Sequence, residues 1–351
     1  MIKKITVLEN VKWFSFMPTD DHSLLLIKNN SLELFDISSL QPKTVVKHSP
    51  DSAFILYDTI LEQKENGKGF GIYELEKQIM DVEGAYYLWK RCLYDDTLYI
   101  SGKNNGEKVV YAFDTKKLEI KLSPLKFLPT KATSNGLLLY SKGRLLECTD
   151  LSANIKWQLD VGEIGKHLSE GKEELGHINE IEMVEESQTL VVSIFARTII
   201  GMDVMTGEIK WKKPVPGGLS NLYIHNEQVY IMSYAIAPTY IVLNALTGET
   251  IIEIDLGKAW ESIAAIDPLS GKKTYFHWRL TSHTVDDKYM YITNRYDLEI
   301  CIVDKNTAEI VERVPLEGGA TVPALNAPIV KNNYLYQLDG NKNLFVFEIM
   351  G

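Results

Sequence analysis

Thr198-Ile-Ile-Gly-Met-Asp203-Val-Met-Thr206-Gly207-Glu208-Ile-Lys-Trp211 is matched further along by Tyr240-Ile-Val-Leu-Asn244-Ala-Leu-Thr247-Gly248-Glu249-Thr-Ile-Ile252. Each stretch is an apolar, β-branched run that ends in Asp or Asn, passes through Thr-Gly, and resumes as a second such run. The turn chemistry is local. An Asp or Asn side chain accepts backbone N–H groups two residues on, and glycine takes the positive φ that reverses the chain. Both stretches therefore predict a β-hairpin.

Weaker copies run the length of the chain. Leu32–Asp36, Gly71–Glu74, Val109–Asp114, Arg144–Asp150 and Leu298–Asp304 are each followed by a short β-type run, and Leu344–Phe347 stands near the end. Markers at positions 36, 74, 114, 150, 203, 244, 304 and 347 are spaced by about 44 residues on average, the period of multi-strand propeller blades. Another strand precedes each marker, for example Leu190–Ile194 or Tyr289–Ile292, and a third lies upstream, such as Ile178–Val184. With the strand after the turn, each unit holds four. The expected fold is all-β, one eight-bladed β-propeller over residues 1–351; seven blades result if the weak unit around Glu74 is not one. The last unit lacks a strand, and Ile2–Leu8 is an unassigned run of the right length to complete it and cover its open edge. A pair of β-sandwiches is the rival architecture, and it gives no reason for one turn motif to recur eight times.

The pattern Asp/Asn-x-x-Thr-Gly-Glu-x-x-Trp resembles the repeat of the quinoprotein-like (PQQ-like) β-propellers, most fully at Asp203–Trp211 and Asn244–Ile252. The resemblance implies the fold and says little of the activity. Quinone-binding members of that family use adjacent cysteines and a bound calcium ion. Cys92, Cys148 and Cys301 are far apart, so no cofactor is expected. Other members are outer-membrane lipoproteins with a lipidated N-terminal cysteine, absent from MIKKITVLENVKW. In the same reading Trp211, and Trp157 by a degenerate alignment, cover the gap between neighbouring blades, each burying on the order of 200 Å².

Apolar residues make up 45% and charged residues 24% of the 351, and 37 basic side chains face 47 acidic ones, for a net charge of −10. A nucleic-acid partner is disfavoured, because phosphate binding needs a basic footprint. No apolar run is long enough to span a bilayer. Three scattered cysteines suit a reducing compartment, and a cytoplasmic location is expected.

Two marker intervals, 53 and 60 residues, are the largest. They place insertions at 161–179 and 257–279, each after the last strand of one unit and before the first of the next. In a propeller such connections share a face with the loops between second and third strands. The expected functional surface is therefore the loop face of blades four to seven. Its candidate partner-binding residues are Trp260, Tyr275, His277, Trp278, Arg279 and His283, with Arg197, Tyr234, Arg295 and Tyr296 from the neighbouring loops. Aromatic residues and arginine dominate interface hot spots; the plainer alternative has Trp260 packed on the blade beneath and the arginines solvated. His277 and His283 lack the spacing of a metal site. Leu168–Leu175 and Ala259–Ile266 each read as a helical turn or two. Asp339–Asn343 has the look of a calcium loop without its acidic spacing.

No nucleotide, protease or hydrolase motif is present. The reading is a non-catalytic interaction module for a basic protein, one version being an inhibitor or immunity-type protein. The alternative is an enzyme or sensor that takes a sugar- or lactone-like molecule at the central channel.

Overall fold

The computed structural model describes residues 2–16, 23–28, 31–46, 53–56, 59–64, 68–74, 77–169, 171–195, 198–215, 222–233, 239–261, 264–266, 273–275, 283–294, 298–320, 322 and 327–350. Eight four-stranded antiparallel sheets make an eight-bladed β-propeller. The chain divides into two compact units, 9–140 with 148–155, and 1–8 with 141–147 and 156–351.

The first of these holds blades 1 to 3. Blade 1 is Val11–Phe16, Ser23–Lys28, Ser31–Asp36 and Gln41–Val46; blade 2 is Ala53–Leu56, Thr59–Gln63, Gly69–Glu74 and Lys77–Glu83; blade 3 is Tyr86–Tyr94, Thr97–Asn104, Glu107–Asp114 and Glu119–Leu122. The weak unit around Glu74 is thus a full blade. Blade 4, whose residues are shared between the two units, is Lys131–Ala132, Leu138–Lys142, Leu145–Thr149 and Ile155–Asp160.

The other unit holds blades 5 to 8. Blade 5 is Ile178–Val184, Thr189–Ile194, Thr198–Asp203 and Ile209–Pro214; blade 6 is Tyr223–His225, Gln228–Ser233, Thr239–Asn244 and Thr250–Asp255. Blade 7 is His283–Val285, Tyr289–Asn294, Glu299–Asp304 and Ile310–Pro315. Blade 8 is Ile329–Lys331, Tyr334–Leu338 and Leu344–Ile349, completed by Ile2–Leu8, which pairs Ile2 with Ile349 and Leu8 with Leu344. The N-terminal strand closes the last blade as its length predicted.

The marker turns follow the expected chemistry. Asp203 Oδ1 accepts the N–H groups of Met205 and Thr206 at 2.9 and 3.1 Å, and Asn244 Oδ1 those of Leu246 and Thr247 at 2.9 and 3.0 Å. Asp36, Asp114, Asp150 and Asp304 each accept two backbone N–H groups in the same way. Asp339 makes a related turn between the second and third strands of blade 8, where Oδ1 takes the Asn343 N–H at 2.7 Å and Oδ2 the Ala320 N–H at 2.8 Å. That loop is thereby a structural turn, as its position in the hairpin suggested.

Tryptophans join blades 4 and 5 and blades 5 and 6. Trp157 Nε1 donates to the Val204 carbonyl at 2.8 Å, and Trp211 Nε1 to the Ala245 carbonyl at 2.9 Å. Both indoles are 9% exposed. Each lies flat on the turn glycine of the next blade: a Cβ on Gly207 would stand 2.6 Å from Trp157, and one on Gly248 2.5 Å from Trp211. With φ of +75° and +71° these positions already favour glycine. In blade 6 the register equivalent of Trp211 is Ile252, and the turn of blade 7 carries Ala308 at φ +58° instead of glycine. Two other side chains take over there. Tyr240 donates its hydroxyl to the Lys305 carbonyl at 2.7 Å, and Trp260 Nε1 donates to the Ala308 carbonyl at 2.8 Å. Tyr240, Trp260, Met290, Cys301 and Ala308 pack in one buried cluster around them.

Gly248→Ala is expected to cost about 2 kcal/mol or more, because the new methyl group meets an indole held on its far side by a hydrogen bond. At the corresponding turn of blade 7, Ala308→Gly should stay within about 1 kcal/mol of the parent, relief of the left-handed backbone offsetting the lost methyl burial. Urea midpoints of the two variants check this; equal losses would show that the indole contact is not what selects glycine.

Candidate functional site

Of the ten residues expected at the loop surface, Arg197, Tyr234, His277, Trp278, Arg279, Arg295 and Tyr296 lie outside the described residues. Tyr275 ends a short strand, Lys273–Tyr275, paired with Ala264–Ile266. The other two have definite surroundings, and both correct the expectation of a partner contact.

Trp260 is 2% exposed and caps the short helix Leu256–Ala259. Asp255 opens that helix by accepting the Gly257 N–H at 2.8 Å, an N-cap that Asp supplies well. The helix turns the chain so that the indole falls into the gap left by Ile252. Trp260 is therefore a latch between blades 6 and 7, as in the plainer of its two readings. Its position in an insertion, away from the repeat register, concealed that role.

His283 is 3% exposed, on the first strand of blade 7, with its ring centroid 6.0 Å from that of Tyr223. Burial in this apolar setting pushes its pKa down to about 4, since the charged imidazolium is desolvated. A buried neutral ring does not meet a docking partner. It does tie stability to acidity. The unfolded chain binds the proton near the ordinary 6.5 and the folded one only near 4, so stability is lost as pH falls through this window. His283→Gln should lower that slope, with the parent losing about 2 kcal/mol more than the variant between pH 7 and pH 5. Urea unfolding at the two pH values measures it, and parallel losses would rule out His283 as the titrating group.

The insertion at 161–179 is described except at residue 170. Its expected helical turns are instead a hairpin, His167–Ser169 paired with Lys172–Glu174, reversed near Gly171 at φ +79°. Two glycines form its root. A Cβ on Gly165 would collide with Ile194 beneath, and one on Gly176 would stand 2.6 Å from the Gly165 Cα. Only bare backbones cross this closely. Backbone bonds from Gly165 to Val161, Gly176 to Gly162 and Phe195 to His177 fasten the root at 3.0, 2.9 and 2.8 Å. The His177 ring stacks on Phe195, centroids 4.6 Å apart.

Above this root the hairpin presents Leu168, 69% exposed, and beside it Phe195 is 47% exposed. The charges of the insertion are of both signs, Glu163, Glu173 and Glu174 against Lys166, Lys172 and the Lys212 ammonium on the Ile164 carbonyl. Glu163 and Glu173 flank Lys166 at 3.9 and 3.0 Å, and Glu174 lies 3.7 Å from His167. Sequence reasoning missed Leu168 and Phe195. The spacing of Gly165, Gly171 and Gly176 around a short alternating run was the available sign of a hairpin.

The second insertion also carries a two-stranded hairpin, the one holding Tyr275. Among the described residues no cluster of three or more metal-ligating side chains occurs, and no helix is long and apolar enough to cross a membrane. Cys92, Cys148 and Cys301 are buried and form no disulfide, and burial pushes the Cys92 thiol up to about 11.

No protein-family model matches the sequence, and no curated protein matches it. Solved structures are similar in fold over the whole length. BamB from Moraxella catarrhalis aligns with a TM-score of 0.62 at 12% identity, covering 99% of this chain and 100% of that one. Sqt1 from Saccharomyces cerevisiae aligns with a TM-score of 0.64 at 8% identity, covering 99% of both. The β-propeller domain of Cps50 (Swd1) from Myceliophteria thermophila aligns with a TM-score of 0.54 at 9% identity, covering all of both chains. At these identities the likeness shows the fold alone, a β-propeller, which is commonly a scaffold for protein interaction.

Proposed function

We propose that this chain is a non-catalytic, cytoplasmic interaction module built from quinoprotein-like repeats, which binds a basic partner protein through the loop face of blades 4 to 7. The observation that carries the reading is the hairpin at 167–174. A chain that pins a hairpin root with two crossing glycines and then leaves Leu168, on the first strand, in solvent spends stability on a projecting apolar group. Exposed apolar side chains rimmed by charge mark docking surfaces. The carboxylates of the rim, Glu163, Glu173 and Glu174, with a net charge of −10 behind them, favour a basic partner and speed its approach. Tyr275, His277, Trp278 and Arg279 would extend the same surface from the second insertion, with Arg197, Tyr234, Arg295 and Tyr296 between them. An inhibitor or immunity-type protein capping a basic enzyme or toxin is one concrete form, supported by charge.

The test is affinity purification of the tagged chain from its own host. A stoichiometric basic partner is expected with the parent. Leu168→Asp and the pair Trp278→Ala with Arg279→Ala should each weaken it at least tenfold, about 1.4 kcal/mol, at unchanged melting temperature. Binding that withstands both variants would show that the partner docks elsewhere.

A further inference from the structure

At the other ends of the strands, away from the loop surface just discussed, the turns joining first to second strands of blades 5 and 6 line an open pocket of about 530 Å³. This is within the range of sites that hold small organic ligands. Met183, Val184 and Ile224 give it an apolar lining, and Glu186 and Glu227 give it carboxylates. Val184 is buried while both glutamates are exposed, so the apolar groups lie deep and the charges stand at the mouth. None of the lining residues is Lys or Arg. Among the described residues neither glutamate has an ion-pair partner.

The walls are braced from both sides. On the blade 5 side, Glu180 Oε2 accepts the Leu222 N–H at 2.8 Å, tying the first strand of blade 5 to the entry of blade 6. On the blade 6 side, His225 and Asn226 both reach Asp287 Oδ1 of blade 7, at 2.9 and 3.0 Å. These two contacts hold the Asp287 carboxyl below the usual carboxylate range. The turn itself, Asn226-Glu227, is left-handed at both residues, with φ of +47° and +57°. That geometry directs the Glu227 side chain from a rigid two-residue hairpin turn. A cavity whose sides are cross-linked to their neighbours is set before a ligand arrives, which lowers the entropic cost of binding.

We infer that this cavity binds an organic cation, a protonated amine or guanidinium carried on an apolar stem, with the stem against Met183, Val184 and Ile224 and the charge between Glu186 and Glu227. Such a group comes either from a free small molecule or from a Lys or Arg side chain of a peptide. Glu186 and Glu227 neutralise the charge, the apolar lining takes the stem, and Asp287 acts as a positioning residue that fixes the His225-Asn226 wall.

Calorimetric titration of the full-length chain with phenethylammonium, with its neutral analogue phenethyl alcohol and with the anion phenylpropionate tests the inference. Saturable binding is expected for the cation, at least tenfold tighter than for the alcohol, and none for the anion. Glu186→Gln with Glu227→Gln should remove about tenfold of the cation's affinity and leave the alcohol's unchanged. Ile224→Trp, which fills the cavity, should abolish both. Acetyl-Leu-Arg-Leu-amide distinguishes the sources: tighter binding than phenethylammonium assigns the site to a peptide side chain, and weaker binding to a free molecule. Equal affinity for cation and alcohol, or cation binding untouched by the double Gln variant and by Ile224→Trp, would overturn the assignment. Melting temperatures of the variants separate loss of the site from loss of the fold, and Glu186→Gln and Glu227→Gln, both on exposed turns, are expected to melt with the parent.

Discussion

Blades 4 to 7 are joined in turn by a ring laid against the next turn, its polar hydrogen given to a carbonyl there. A flat aromatic face supplies the buried area that a narrow four-stranded sheet lacks, and the single donor settles where along the seam it sits. An indole between two sheets leaves no room above the turn, so the residue there must be glycine. Where the repeat places Ile252 in the aromatic position, the glycine requirement lapses and Ala308 occupies the turn. Tyr240 and Trp260 then supply the donors from different points of the chain. Preservation of the donor–carbonyl contact after the repeat residue has changed identifies that contact as the feature the architecture needs.

The fold was legible because its chemistry is local and repeated. Asp or Asn at the turn start, a left-handed residue three or four positions on, and β-branched runs on either side recur often enough to set a period even where single copies are poor. Blade 2 has Glu74 in place of the Asp or Asn, and its two β-type runs at the expected spacing located it. The closing strand was legible from arithmetic, one run left over at one end and one run missing at the other. Trp211 and Trp157 were legible because the motif carries them.

The surface was legible only in outline. Interval lengths located two insertions, but composition does not tell an exposed aromatic from one turned inward. Trp260 sits among candidate contact residues and belongs to the interior, because a four-residue helix rotates it there. His283 reads as an accessible imidazole in sequence, yet it lies on a first strand, His283–Val285, that is buried on both faces. Leu168 reads as part of a helical turn, and above the crossing of Gly165 with Gly176 it lies on a hairpin strand instead. In each instance the deciding fact is which way a side chain faces, which depends on residues far away in the sequence. The cavity beside Glu186 and Glu227 has no sequence signature at all, since its walls come from two blades and its bracing from a third.

The final blade takes three strands from one end of the polypeptide and its fourth from the other. During synthesis, Ile2–Leu8 is made well before Leu344–Ile349, the strand that receives it. Until that strand emerges the segment has no mate, while the growing array shows an uncovered flank to any other extended chain nearby. Closure is thus a late event on the folding path, and slow elongation or early termination leaves a product able to borrow the missing strand from a second molecule.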